Sequence, residues 1–167
     1  RPPEPKMSLV DINEMIGKLL DFLAPQFAKQ GIMTERKLSV GLPWLTLDPD
    51  LIQQALINIA LNAIQSMPTG GKFTVETRSE NPSSESSGSV SIMLADSGKG
   101  VSTENLSRIF NPFFTTRQQG TGLGLSITQR IIEQHNGEIS VMSSAGKGAT
   151  FVITLPYPKQ GTSKQTA

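Results

Sequence analysis

Three short stretches of the chain carry residue types suited to holding a charged, nitrogen-rich ligand. Asn58 and Asn62 stand four residues apart in a run that is otherwise mostly apolar. On a helix, both amides would project from one side, a turn apart. A neutral amide oxygen can ligate a hard cation without adding charge, which suits a magnesium ion already held by phosphates; the same pair could equally decorate a solvated helix face. Asp96-Ser97-Gly98-Lys99-Gly100 directly follows a hydrophobic run, putting a carboxylate at a strand end before two glycines that let the backbone turn sharply. A strand-end Asp before Gly often serves only the turn. An ionised carboxylate is also acceptor-only, and would select a donor edge such as the exocyclic amine of adenine. Gly120-Thr121-Gly122-Leu123-Gly124 opens a helical pattern, and small residues there let backbone amides approach an anion where the helix dipole favours it.

Other chemistries are excluded by what the chain lacks. The dinucleotide fingerprint needs glycine where Leu125 stands, and no GxxxxGK[ST] phosphate loop exists. There are no cysteines, so disulfides, zinc-thiolate sites and thiol catalysis are out. The net charge of +1 offers no broad field for nucleic acid or an anionic membrane. Any polyanion must be held locally. No stretch approaches the roughly 18 apolar residues of a membrane span.

The elements that must position these groups can be read from periodicity. Arg1 to Lys6 is proline-rich and reads as an extended incoming linker, with the folded unit expected over 11–157 and the linker over 1–10. Apolar residues at helical spacing predict a helix over Asp11 to Lys29, which Pro25 could kink or end early. Short strands are expected at Thr34 to Val40 and Trp44 to Leu47. Asp48-Pro49 makes a helix start and Pro68 to Gly71 an end, bounding a helix over Asp48 to Met67. Lys72 to Arg78 and Val90 to Ala95 read as strands joined by the polar, mobile tip Ser79 to Ser89. Ser97 to Thr121 lacks periodicity apart from a short possible helix at Glu104 to Phe110, and reads as a mobile lid. A helix over Gly122 to Gln134, strands at Glu138 to Met142 and Ala149 to Leu155, and a disordered polar tail beyond complete the pattern. His135, the only histidine, falls at a helix end, where termination or surface packing is its expected role.

Taken in order, Asn58/Asn62, DSGKG at Asp96 to Gly100, Asn111-Pro112-Phe113-Phe114, GTGLGL at Gly120 to Leu125 and Gly146-Lys147-Gly148-Ala149-Thr150-Phe151 resemble the N, G1, F, G2 and G3 boxes of the sensor histidine-kinase catalytic domain. That domain shares the Bergerat nucleotide fold of the GHKL superfamily. The resemblance covers roughly Asp48 to Pro156. It implies an α/β two-layer sandwich, with a mixed sheet of about five strands, three main helices on one face and the lid beside them.

The resemblance further implies that Asn62 coordinates Mg2+, that Asn58 supports the triphosphate and metal, and that Asp96 reads the adenine amino group with room supplied by Gly98 and Gly100. Gly120, Gly122 and Gly124 would present amides to the phosphates. Thr116, Arg117, Thr121, Leu123 and Leu125 would complete the ATP contacts, and Thr150 would back the adenine through its hydroxyl. Ile109, Phe110, Phe113 and Phe114 would anchor the lid on the domain or on a helical partner. Ala149 departs from a threonine frequent in the family, and Arg117 from a lysine. Asn58 occupies the place where hydrolysing relatives carry a glutamate base, which implies slow hydrolysis and transfer of the γ-phosphate to an outside nucleophile.

The implied partners are a dimerising histidine-phosphotransfer hairpin of the same parent and a response regulator. The fragment would be a cytoplasmic monomer from a homodimeric parent, with any membrane anchor elsewhere. A nucleotide-gated interaction module and a GHKL ATPase are the alternatives.

Overall fold

The computed structural model describes residues 3–80, 87–116 and 120–158. Strand β1 (Ser8–Val10) leads into helix α1 (Ile12–Lys29), followed by β2 (Ile32–Leu38), β3 (Leu45–Leu47), α2 (Pro49–Ser66), β4 (Gly71–Glu80), β5 (Gly88–Asp96), α3 (Thr103–Leu106), α4 (Gly124–Gln134), β6 (Glu138–Ser143) and β7 (Ala149–Tyr157).

Five strands form one mixed sheet in the order β2-β4-β5-β7-β6. Only the β2–β4 pair is parallel. Alternation along each strand sends Phe73, Val75, Val90, Ile92, Leu94, Phe151 and Ile153 into one core, shared with the buried faces of α1, α2 and α4. Phe27 of α1 stacks on Phe73 of β4 with centroids 5.3 Å apart, which ties the first helix to the sheet.

Local chemistry accounts for the helix limits. Asp11 caps α1 by accepting from the Glu14 amide at 3.2 Å. Pro25 lies inside the helix without ending it, on the exposed side opposite the buried row Leu19, Leu23 and Phe27. Packing of that row holds the axis through the lost hydrogen bond. Helix α4 begins at Gly124 rather than Gly122, because Gly122 sits at φ 70, on the wrong side for a right-handed helix.

Several segments differ from expectation. The incoming linker is structured over its last three residues, where β1 pairs antiparallel with β3. This two-stranded ribbon stands apart from the main sheet and buries Leu45 and Leu47. The strand expected at Thr34 to Val40 runs from Ile32 to Leu38, and the β4–β5 hairpin is longer than expected, with residues 81–86 of its tip outside the described residues. The helix expected at Glu104 to Phe110 is limited to Thr103–Leu106. Beyond it, the chain continues in turns that place Ile109 in the core. Strand β7 continues through Pro156 and Tyr157, two residues past the expected strand end at Leu155. Past Thr154 it has no β6 neighbour, a setting in which proline is tolerated. Residues 159–167 lie outside the described residues.

Candidate functional site

Helix α2 supplies one wall of a cleft. Asp48 caps it by accepting from the amides of Asp50 and Leu51 at 3.1 and 3.2 Å, and Pro49 opens its first turn. Ile52, Ala55, Leu56, Ile59, Ala60 and Ala63 bury one side. Asn58, Leu61, Asn62 and Gln65 therefore face the cleft. The Asn58 amide nitrogen donates to the Gly124 carbonyl at 3.2 Å and the Thr128 hydroxyl at 3.3 Å. Asn58 thus joins α2 to the first turn of α4 at the cleft floor, a bridging role that the four-residue spacing could not reveal.

The second wall is the end of β5. Asp96 is 9% exposed, and its Oδ1 accepts from the amides of Gly98 at 2.9 Å and Ala149 at 3.3 Å and from the Ser66 hydroxyl at 3.2 Å. The two amides, with the Ser66 hydroxyl beside them, fix the orientation of the Asp96 side chain. A β-carbon on Gly98 would lie 2.3 Å from Ser66 Oγ and 2.5 Å from Ser66 O. Gly98 is therefore a packing requirement between the β5 turn and the end of α2, and it does not line the cleft. Gly100 does.

The third wall is the segment between β5 and α4. Ile109 is buried and Phe110 packs edge-on against Phe151 at 6.4 Å, so these two anchor the segment on the domain's own core. The Arg108 guanidinium lies over the Phe114 ring at 4.7 Å. Phe113 is instead 74% exposed, at φ 67. Its amide donates to the Gly122 carbonyl at 3.0 Å, which closes the segment onto the glycine turn.

These walls enclose a cleft of about 560 Å³, within the usual range for small-molecule sites. Asn58, Asn62, Asp96, Gly100, Thr116, Gly120, Thr121, Gly122, Gly124 and Leu125 all line it. Leu123 does not, and Arg117 falls outside the described residues. Thr150 is also absent from the lining. It alternates along β7 with Ala149 and Phe151, both of which line the cleft, so its hydroxyl stands on the opposite sheet face. The position facing the site is Ala149.

Sequence reasoning missed Gln65, Ser66 and Lys99, which also line the cleft. The first two were discoverable, lying three and four residues beyond Asn62 on the same helical side. Lys99 is the one cationic side chain among the described lining residues. Buried His135 corrects the expectation of surface packing: it caps the end of α4 at 5% exposure.

Residues 47–159 match the family described as histidine kinase-, DNA gyrase B- and HSP90-like ATPase. The nucleotide-free catalytic domain of the histidine kinase ThkA superimposes with a TM-score of 0.74 at 31% identity, covering 92% of this chain and 96% of that one. Full-length ShkA, solved in complex with AMPPNP, gives a TM-score of 0.78 at 26% identity over 97% of this chain and 33% of its own. Among sequence relatives, the sensor histidine kinase ZraS of Escherichia coli K12 is 38% identical over 93% of this chain and 32% of its own length. The signal transduction histidine-protein kinase AtoS of the same organism is 34% identical over 96% of this chain and 26% of its own. The chain thus spans about a third or less of these relatives. Sheet order, cleft and matched extent define a histidine-kinase type of catalytic domain. The chain belongs to the histidine kinase-, DNA gyrase B- and HSP90-like ATPase family.

Proposed function

We propose that this domain binds Mg-ATP in the cleft and donates the γ-phosphate to a histidine on a separate helical hairpin of the same parent protein, from which a response regulator receives it. The observation that carries the reading is the convergence of Asn62, Asp96 and Gly122 on one cleft. The adenine amine would meet the Asp96 carboxylate, and the phosphates would lie towards Gly122 and Gly124, where α4 begins. That ShkA was solved with AMPPNP and ThkA with the response regulator TrrA supports both halves of the proposal.

Among the described residues, no three His, Cys, Asp or Glu side chains cluster as a metal cage. The neutral amide of Asn62 fits a magnesium ion that takes most of its ligands from phosphates and water. Such an ion would neutralise phosphate charge. The protein's own part is to orient the nucleotide and exclude water, which suffices for transfer through a loose transition state. Transfer breaks the bond between the γ-phosphorus and the β,γ-bridging oxygen, forms a bond to an imidazole nitrogen, and leaves ADP.

Two features of this chain favour an outside acceptor. Asn58 cannot take a proton from water near neutral pH, and both nitrogens of His135 are engaged in hydrogen bonds within the fold. The test is incubation with γ-labelled ATP, with and without a separately expressed histidine hairpin from a relative. The domain alone should stay unlabelled while the hairpin acquires acid-labile label. Label on His135, or rapid turnover without the hairpin, would contradict the proposal.

A further inference from the structure

Helix α4, whose first residues border the phosphate end of the cleft, is pinned to α2 at two separated points. Near its start, Asn58 donates to Gly124 O and Thr128 Oγ1. At its end, His135 Nε2 lies 2.9 Å from the Asp48 amide, while Nδ1 lies 2.7 Å from the Ile131 carbonyl. An amide N–H can only donate and a carbonyl can only accept. The imidazole must therefore be neutral, with its proton on Nδ1 and its Nε2 lone pair facing Asp48. The contact is buried and spans 87 residues of sequence, and it joins the last turn of α4 to the first turn of α2. Asp48 is itself fixed, because its carboxylate accepts from the Lys6 amide at 2.7 Å and from the α2 amides.

A helix of this length is a rod roughly 16 Å long. Ile131 and Ile132 seat it on the core, and the hydrogen bonds at its two ends fix the angle at which it lies there; losing one lets that end shift relative to the other. We infer that His135 is a positioning residue for nucleotide binding: by pinning the far end of α4 to the Asp48 cap, it sets the angle at which the Gly122–Gly124 turn faces Asn58 and Asn62. The inference rests on the reading of the cleft as a nucleotide site. It assigns His135 no contact with the ligand. Coupling of this kind is reciprocal, so nucleotide binding must in turn tighten the distant Asp48–His135 contact.

The experiment uses the 167-residue chain and its His135→Leu and His135→Gln variants. Affinity for Mg-ADP is measured by calorimetry at a temperature where melting curves show each protein folded. Hydrogen exchange of the Asp48 amide is followed in the wild type with and without Mg-ADP. Leucine leaves the Asp48 amide unpaired and should weaken binding about tenfold or more, within the usual range of coupling between sites. Glutamine can offer its amide oxygen near the Nε2 position and should stay within about threefold of wild type. Mg-ADP should slow exchange at Asp48. Wild-type affinity in the folded leucine variant would overturn the inference while leaving the nucleotide site intact. If that variant does not fold, the wild-type exchange decides, and a rate indifferent to Mg-ADP would overturn the inference. A wild-type chain that binds no Mg-ADP would sink the nucleotide reading, and this inference with it.

Discussion

A β-carbon placed on Gly122 would lie 2.4 Å from the carbonyl carbon of Phe113 and 2.8 Å from its α-carbon. The Phe113 amide also donates to the Gly122 carbonyl at 3.0 Å. The two backbones therefore touch directly, and this contact shuts the segment after β5 against the start of α4. Both residues have positive φ, 67 for Phe113 and 70 for Gly122. Glycine at 122 answers two demands at once, a left-handed backbone and the absence of a side chain.

Gly122→Ala should therefore part the segment from the glycine turn. We expect Mg-ADP affinity to fall about tenfold or more while the melting temperature drops by roughly 2–12 °C, as backbone strain of about 1–3 kcal/mol implies for a chain of this size. Calorimetry and thermal melting check both halves. Unchanged affinity would show that this contact does not shape the site.

Asp96→Asn keeps an oxygen to accept from the Gly98 and Ala149 amides but replaces the other carboxylate oxygen with a donor. The fold should persist, while ATP affinity drops about 100-fold, in line with losing a charge-assisted hydrogen bond and gaining an opposed donor. Wild-type affinity by calorimetry would remove Asp96 from base recognition.

Asp48 links stability to pH. Its carboxyl lies below the ordinary aspartate value, chiefly because the Lys6 amide donates to it, with further help from the Leu51 and Asp50 amides and against the opposing effect of burial. A lowered folded-state pKa means stabilisation that is present at neutral pH and lost as pH falls below about 4. Asp48→Ala should cost about 1–2 kcal/mol at pH 7, the usual cost of a lost helix cap. That deficit should shrink as wild type and variant are compared in progressively more acid buffer. A gap independent of pH in urea melts would contradict the assignment.

Phe27→Ala tests the join between α1 and the sheet. Phe27 is 1% exposed and stacked on Phe73, so truncation should cost about 3–5 kcal/mol. A loss below about 1 kcal/mol in chemical denaturation would mean that the layer relaxes around the cavity.

The helices and most strands of the main sheet were legible because their signals are local. Asp11 and Asp48 cap, Pro49 opens a helix, and the row from Leu19 to Phe27 keeps its period across Pro25. The family was legible in the order of the boxes, and most of the residues they contain meet at one cleft. What could not be read depended on tertiary placement. The β1–β3 ribbon is set by a register between segments some 35 residues apart, for which Leu45 and Leu47 carry no address. Thr150 stands one residue away from the position that lines the cleft. A hydroxyl beside a glycine box suggests chemistry, but the pleat decides which of two neighbours faces the cleft, and here that neighbour is Ala149. His135 was placed correctly at a helix end, yet its burial against Asp48 depends on how α4 packs on α2.

A crystal structure of this chain with Mg2+ and a non-hydrolysable ATP analogue would test most directly whether the cleft is a nucleotide site. The adenine amine should lie at the Asp96 carboxylate, the phosphates at the Gly122–Gly124 turn and the metal beside Asn62. Analogue bound on any other surface, or an adenine seated away from Asp96, would contradict it.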